Sequence, residues 1–337
     1  MNLLTLGGGT WGITLACLLG KNGHAVRVWE FDPDVAGYLL HHRGHPKLPG
    51  LEVPPDIVIT SDLAQALDAQ GHPPEAIVCA VPAAHVRITC RNLAKQGYAG
   101  QLFVIASKGI EQETHALLHD VAGQELGPAS TGKIGVLSGP SHAEEVSRNI
   151  PTAVTATATE MAVAEQIRDL FMAPRFRVYT QTDLVGVELA AGLKNVIAIA
   201  CGISDGLGFG DNSKAGLITR GLSEIVRLGL KVGARPETFY GLAGIGDLVV
   251  TCTSRHSRNR NFGEHIGKGL GADEALKAVG QVVEGYYTAR AAVSLAREHQ
   301  VEMPICEGVA SVLFKGLKPL EAVSALMMRE PKSEVMG

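Results

Sequence analysis

Gly7-Gly8-Gly9-Thr10-Trp11-Gly12 has the spacing G-x-G-x-x-G. A short apolar run precedes it at residues 3–6, a helix-compatible stretch follows at 10–22, and a second strand-like run comes at 25–29. In that setting each glycine has its own task. Gly7 permits a tight turn, Gly9 lets a pyrophosphate approach the backbone, and Gly12 allows close packing of helix on strand. The N–H groups that open the helix then hold phosphate, with Thr10 and Trp11 lining the same turn. A glycine-rich turn in an ordinary loop is the bland alternative, and the strand–turn–helix–strand context weighs against it. The residue after the second strand is the usual sensor of the adenosine ribose. Here it is Glu30, a carboxylate that bonds a 2′-hydroxyl and repels a 2′-phosphate. This favours NAD over NADP, unless Glu30 merely ends a strand and faces water. Arg27 and Arg43 are the cations near enough in sequence to fold in on a phosphate.

A second kind of chemistry gathers further along. Residues 255–260 read Arg-His-Ser-Arg-Asn-Arg. Ser257 can cap a following helix, which places Arg258 and Asn259 in the first helical turn, and arginine forks two N–H groups onto phosphate oxygens. A solvated charge run is the alternative. Lys194 stands just ahead of the apolar residues 196–200 in a helix predicted to be buried, where a lysine is costly unless paired. Lys108 follows a strand end at Ala106-Ser107, the position where ligands gather in open α/β sheets; on texture alone it is equally a loop lysine. Asp247, after Gly244-Ile245-Gly246, is either a site carboxylate or a helix N-cap. Other groups read as bland. His115 and His119 stand four apart on a predicted helix, a metal-compatible spacing with no third ligand, and no metal is expected. His41, His42 and His45 suit a loop surface. Cys252, between two threonines, has no identifiable base.

The elements that must position these residues follow from periodicity. Strand-like runs at 3–6, 25–29, 57–59, 76–80, 102–106, 133–137, 152–156 and 176–179 alternate with helix-like stretches such as 10–22, 83–96 and 161–171. That order predicts a mostly parallel, doubly wound α/β sheet of Rossmann type over residues 1–181. From about Asp183 the alternation ends. Helix-compatible segments near 183–204, 213–232, 286–299, 304–315 and 319–329 predict an all-α domain over 182–337, joined by a linker short enough for closure over a cleft. A chain of 337 residues accommodates about two domains.

Composition removes several classes. With 46% hydrophobic and 19% charged residues the chain is not disordered. Thirty Lys+Arg against 34 Asp+Glu leave −4, which argues against a general nucleic-acid binder. Aromatics at 5% argue against a base-stacking surface. No basic region precedes an apolar stretch at the N-terminus, so no signal peptide is expected. The apolar run at 196–203 is too short to span a membrane. Six scattered cysteines without a C-x-x-C pair fit a reduced cytoplasm.

Longer blocks carry a resemblance. Residues 139–146 read Gly-Pro-Ser-His-Ala-Glu-Glu-Val. The block 192–214 runs from Gly-Leu-Lys-Asn-Val to Gly-Phe-Gly-Asp-Asn-Ser-Lys, and 243–260 from Ala-Gly-Ile-Gly-Asp-Leu to Ser-Arg-Asn-Arg. Val-Val-Glu-Gly stands at 282–285, and Ser107-Lys108-Gly109 after the fifth strand. With the glycine loop, these resemble bacterial NAD(P)-dependent glycerol-3-phosphate dehydrogenase, from Gly7 to about Leu313. The resemblance implies reversible hydride transfer from NAD(P)H to dihydroxyacetone phosphate, giving glycerol 3-phosphate for phospholipid synthesis, in a homodimer. It implies Lys194 as the acid/base, with Lys108 and Asp247 beside it. It implies substrate contacts from Lys108, Gly139, Ser141, Lys194, Asp247, Ser257, Arg258 and Asn259. It implies nucleotide contacts from Thr10, Trp11, Lys108, Ala143, Arg258, Val282 and Glu284. Two departures stand out. Glu30 and Phe31 differ from those members that carry Arg or His there, which speaks against NADP use, and residues 44–50 lack the aromatic that many members have.

Ketone reduction leaves charge on oxygen, and lysine can protonate it. A free lysine, at about 10.4, holds its proton too tightly, and burial or a cationic neighbour such as Lys108 lowers that value while Asp247 raises it. The rival readings are a related dehydrogenase of another hydroxy acid or phosphorylated sugar, and a nucleotide sensor with a lapsed site.

Overall fold

The structure is a computed structural model that describes residues 1–68, 71–331, 333 and 334. Eight strands form one sheet: β1 (Asn2–Leu6), β2 (Ala25–Trp29), β3 (Val58–Thr60), β4 (Ala76–Cys79), β5 (Leu102–Ile105), β6 (Ile134–Ser138), β7 (Thr152–Ala158) and β8 (Phe176–Gln181). Their order is β3-β2-β1-β4-β5-β6-β7-β8, parallel throughout except that β7 runs antiparallel to β6. This is the α/β sheet expected from the alternation. The inner strands are continuous apolar runs because helices cover both faces; all four residues of β4 are buried.

The covering helices are α1 (Thr10–Lys21), α2 (Pro33–His42), α3 (Leu63–Leu67), α4 (Val86–Lys95), α5 (Leu118–Leu126), α6 (Ala143–Val146) and α7 (Met161–Phe171). The chain winds outward from β1 through β2 to β3, then returns to β4 on the other side of β1. The carboxyl ends of β1 and β4 therefore flank a topological switch point, where a crevice opens in such sheets.

After β8 the chain is helical. α8 (Leu184–Gly206) is followed by α9 (Asp211–Lys231), α10 (Pro236–Phe239), a π-turn (Leu242–Gly246), α11 (Asp247–Thr253), α12 (Arg258–Gly267), α13 (Ala272–Val279), α14 (Glu284–Glu298), α15 (Pro304–Lys315) and α16 (Pro319–Met327). The expected segments are present, and α10, α11 and α13 are additional; they are short and rich in glycine boundaries, so they carry little periodic signal. α8 is long and apolar enough to cross a membrane, contrary to what the run at 196–203 suggests, but 94% of its most apolar window lies inside the protein. It is the central core helix, apolar all round because α9, α11, α12 and α14 surround it.

α8 meets α12 at backbone contact. A Cβ on Gly202 would stand 2.0 Å from the Arg260 carbonyl oxygen, and one on Gly263 would stand 2.2 Å from that of Ile199. Glycine at these sites lets the two backbones touch. The contact sets the start of α12, with residues 257–259, against the part of α8 that carries Lys194.

Candidate active site

A cleft of about 1050 Å³ lies between the switch point and the helical half. One wall is the glycine turn. Gly7 has φ +100°, and a Cβ there would stand 3.1 Å from the Ala80 carbonyl oxygen. A Cβ on Gly12 would stand 1.9 Å from the Gly7 carbonyl oxygen, so that position requires glycine. A Cβ on Gly9 would meet nothing, because Gly9 opens onto the cleft. Gly9 is also the N-cap of α1 and offers no side-chain cap, which leaves the first-turn N–H groups for a ligand. Thr10 and Trp11 line the cleft, and the enclosed Trp11 Nε1 has no partner among the described residues. A bare cradle at a helix N-terminus fits the pyrophosphate of a dinucleotide.

Glu30 is half-buried and both of its carboxylate oxygens are bound. Its Oε2 accepts from the Gly8 N–H at 2.6 Å and its Oε1 from the Asp32 N–H at 3.1 Å, which fixes a carboxylate at the rim of the glycine turn. The two nearby arginines are committed elsewhere. Buried Arg27 donates to the carbonyls of Ala66, at 2.8 Å, and of His72. Arg43 donates to that of Ile57 at 2.7 Å.

The opposite wall carries the charged cluster. Lys194, buried on α8, places Nζ 3.0 Å from Asp247 Oδ1 and donates to Thr251 Oγ1 at 2.7 Å. Lys108, beyond the end of β5, places Nζ 2.8 Å from Asp247 Oδ2 and donates to the Gly139 carbonyl at 2.9 Å. It also reaches Ser141 Oγ at 3.4 Å. Asp247 is the first residue of α11, not its cap; Gly246 takes that place. Its carboxylate is therefore free to bridge the two ammoniums. Burial pulls Lys194 down to about 8, with Asp247 opposing and Lys108 assisting. So burial outweighs the carboxylate, the question that the residue types left open. Burial also disfavours ionised Asp247, yet the two ammoniums together hold it below the usual carboxylate range.

The basic stretch splits by direction. Ser257 caps α12, accepting from the Arg260 N–H at 3.2 Å, and Arg258 in the first turn lines the cleft. Asn259 Nδ2 donates to Asn195 Oδ1 at 2.9 Å, and its own Oδ1 accepts from the Gly285 N–H at 2.8 Å. Arg260 turns away to Asp205 at 2.7 Å. At the start of α14, Glu284 accepts from the Ala83 N–H at 3.1 Å. Enclosure raises it to about 7, against the pull of that N–H and of Arg258. Val282 and Ala143 line the cleft; Gly139 and Gly12 support it from behind.

Several residues joined the site without a sequence signal strong enough to single them out. Thr251 lies four residues after Asp247 on one face of α11. Asn195 adjoins Lys194 and holds Asn259. Lys47 reaches across the cleft and donates to the Gly280 carbonyl at 2.6 Å. His45 lines the cleft, while His41 and His42 stay outside it. The helical His115/His119 spacing is not realised. His115 sits at φ +60° ahead of α5, and His119 bonds the buried Glu188. Cys252 is buried beside Cys201.

A glycine cradle on a doubly wound sheet, faced by a helical domain bearing a buried Lys–Asp–Lys cluster, defines the class of two-part dinucleotide-dependent oxidoreductases. The family model for the N-terminus of NAD-dependent glycerol-3-phosphate dehydrogenase matches residues 2–164, and that for its C-terminus matches 183–324. The chain belongs to this family. It is 44% identical over 338 residues to "Glycerol-3-phosphate dehydrogenase [NAD(P)+]" of Fusobacterium nucleatum, covering 100% of this chain and 99% of the relative. It is 48% identical to the protein of that name from Pelotomaculum thermopropionicum, over 98% of this chain and 94% of the relative. The crystal structure of glycerol-3-phosphate dehydrogenase from Coxiella burnetii superposes with a TM-score of 0.91 at 37% identity, over 97% of this chain and 99% of that one.

Proposed function

We propose that this protein is an NAD(P)-dependent sn-glycerol-3-phosphate dehydrogenase that reversibly reduces dihydroxyacetone phosphate for glycerophospholipid synthesis. The observation that carries the reading is the buried Lys194, paired with Asp247 at 3.0 Å and close to neutral range, in the same cleft as the glycine turn and Arg258. Glu30, Trp11, the α1 N-terminus, Ala143, Val282 and Glu284 hold the dinucleotide, whose nicotinamide supplies the hydride when bound. Lys194 gives a proton to the C2 oxygen in reduction and takes it back in oxidation. Asp247 orients that ammonium and keeps it charged, and Lys108 neutralises the opposite oxygen of Asp247 while reaching Ser141. Arg258, Ser257 and Asn259 receive the phosphate, a dianion suited to a helix N-terminus and a guanidinium.

NAD is the preferred cofactor in this reading. Glu30, a carboxylate held at the rim of the glycine turn, would repel a 2′-phosphate there, and Arg27 and Arg43 are spent on backbone carbonyls. Division at residues 181/182, a cytoplasmic location and a homodimer complete the proposal.

The test is a paired assay of dihydroxyacetone phosphate with NADH and with NADPH, followed by nicotinamide absorbance. Oxidation of NADH with strong preference over NADPH is expected, and Lys194→Ala should lower kcat by about 10²-fold or more with NADH affinity retained. Faster turnover with NADPH removes the role given to Glu30. Nucleotide binding without turnover of this substrate points to another hydroxy acid or to a sensor. A Lys194→Ala enzyme within a few-fold of the parent removes the acid/base assignment.

A further inference from the structure

His142 has no task in the scheme above. It stands in the turn between β6 and α6, directly after Ser141, and lines the cleft. It is the residue before α6 yet makes no cap bond. Its ring makes no hydrogen bond to any described residue, and the enclosed Nε2 has no partner. The charges that face it are the ammoniums of Lys194 and Lys108, the Asp247 carboxylate and the His256 ring, whose centroid is 5.9 Å away. Burial and then the two ammoniums push the ring down to about 4, so it is neutral at physiological pH.

The groups around it are committed. Lys194 donates to Thr251 and Asp247, and Lys108 to Asp247 and Gly139. Each Asp247 oxygen already receives an ammonium, and Ser141 Oγ donates to the Gly139 carbonyl. A buried polar atom left without a partner is disfavoured and calls for an explanation, and in a cleft a bound ligand is one that the geometry allows. A triose phosphate brings three polar groups. The phosphate is assigned to the start of α12 and the C2 oxygen to Lys194. The C1 hydroxyl remains, and it needs an acceptor for its proton. Ammoniums accept nothing, whereas a neutral imidazole accepts at one nitrogen and donates at the other. Nε2 is enclosed, and a half-turn about Cβ–Cγ, which exchanges the two ring edges, is the movement by which it would meet a ligand in the cleft.

We infer that His142 contacts the substrate, hydrogen-bonding through its neutral ring to the hydroxyl on the unphosphorylated carbon of the triose phosphate. His142 is then a specificity residue that selects a hydroxymethyl ketone over a methyl ketone. The inference rests on the reductase reading above.

The test crosses enzyme variants with substrates. Parent, His142→Phe and His142→Gln are assayed on dihydroxyacetone phosphate and on acetol phosphate, the same ketone without the C1 hydroxyl. In kcat/KM the parent should prefer the hydroxylated substrate by at least about tenfold. His142→Phe should discriminate by less than about threefold, and His142→Gln, whose amide both accepts and donates, should restore part of the preference. A structural role lowers both substrates equally and leaves the preference intact; that result overturns the inference. If the parent turns over dihydroxyacetone phosphate and the preference is unchanged in both variants, the inference alone fails. If the parent turns over neither ketone, the reductase reading fails. NADH affinity and the melting midpoint of each variant separate contact loss from misfolding.

Discussion

Asp247→Asn tests whether one carboxylate sets the proton affinity of the site. The substitution keeps shape but removes the charge between Lys194 and Lys108, at 3.0 and 2.8 Å. At an effective dielectric of about 20, a charge pair at that separation is worth about 5.5 kcal/mol, or about 4 pKa units. The amide oxygen still faces an ammonium, so about half of that, roughly 2 units, is the expected fall. Lys194 then moves from about 8 toward about 6. Reduction uses the protonated lysine, so its rate declines as pH rises through this value. At pH 7.5 the protonated fraction falls from about three quarters to about one thirtieth, a roughly 25-fold loss. The assay is kcat/KM for NADH-dependent reduction of dihydroxyacetone phosphate across pH 5.5 to 9.5. The alkaline limb should shift down by about 2 units, with activity returning at low pH. A limb that stays within about half a unit of the parent refutes the electrostatic argument. Because breaking a buried pair costs about 3–5 kcal/mol, NADH binding and the melting midpoint are measured alongside.

Two further substitutions probe the flanking walls. Arg258→Ala removes a charge-assisted contact worth about 1.5–3 kcal/mol, so KM for dihydroxyacetone phosphate should rise by tenfold or more; an unchanged KM in steady-state kinetics sinks the phosphate assignment. Gly12→Ala places a Cβ 1.9 Å from the Gly7 carbonyl oxygen, and the turn cannot move without disturbing β1. Loss of NADH binding in a fluorescence titration is expected, and an affinity equal to the parent's contradicts the close packing described.

Short-range information was legible in the chain. The glycine spacing, the strand before it and the helix after it lie within residues 2–21, and their geometry is dictated by local sterics. The inner strand runs announced a covered sheet because they are apolar on both faces, as β4 is, whereas the edge strand β8 alternates buried and exposed residues. Ser257 was readable as a cap, since capping is decided within three residues. The apolar stretch around Lys194 marked a lysine that burial makes expensive. The reversal of β7 against β6 left no mark, because parallel and antiparallel strands can share one apolar pattern.

Tertiary structure alone decided the electrostatics. Lys108 and Asp247 are 139 residues apart, and Ala83 and Glu284 are 201 apart, so no window contains either pair. The sign of the Lys194 shift depends on competition between burial and a carboxylate supplied by another helix. That Arg260 turns away from the cleft while Arg258 lines it depends on Asp205 waiting at the end of α8. The commitment of Arg27 and Arg43 to backbone carbonyls depends on how the loops after β2 fold back. Residue types establish which charges are available; only packing sets their separation and their access to water, and Coulomb energy and desolvation depend on both.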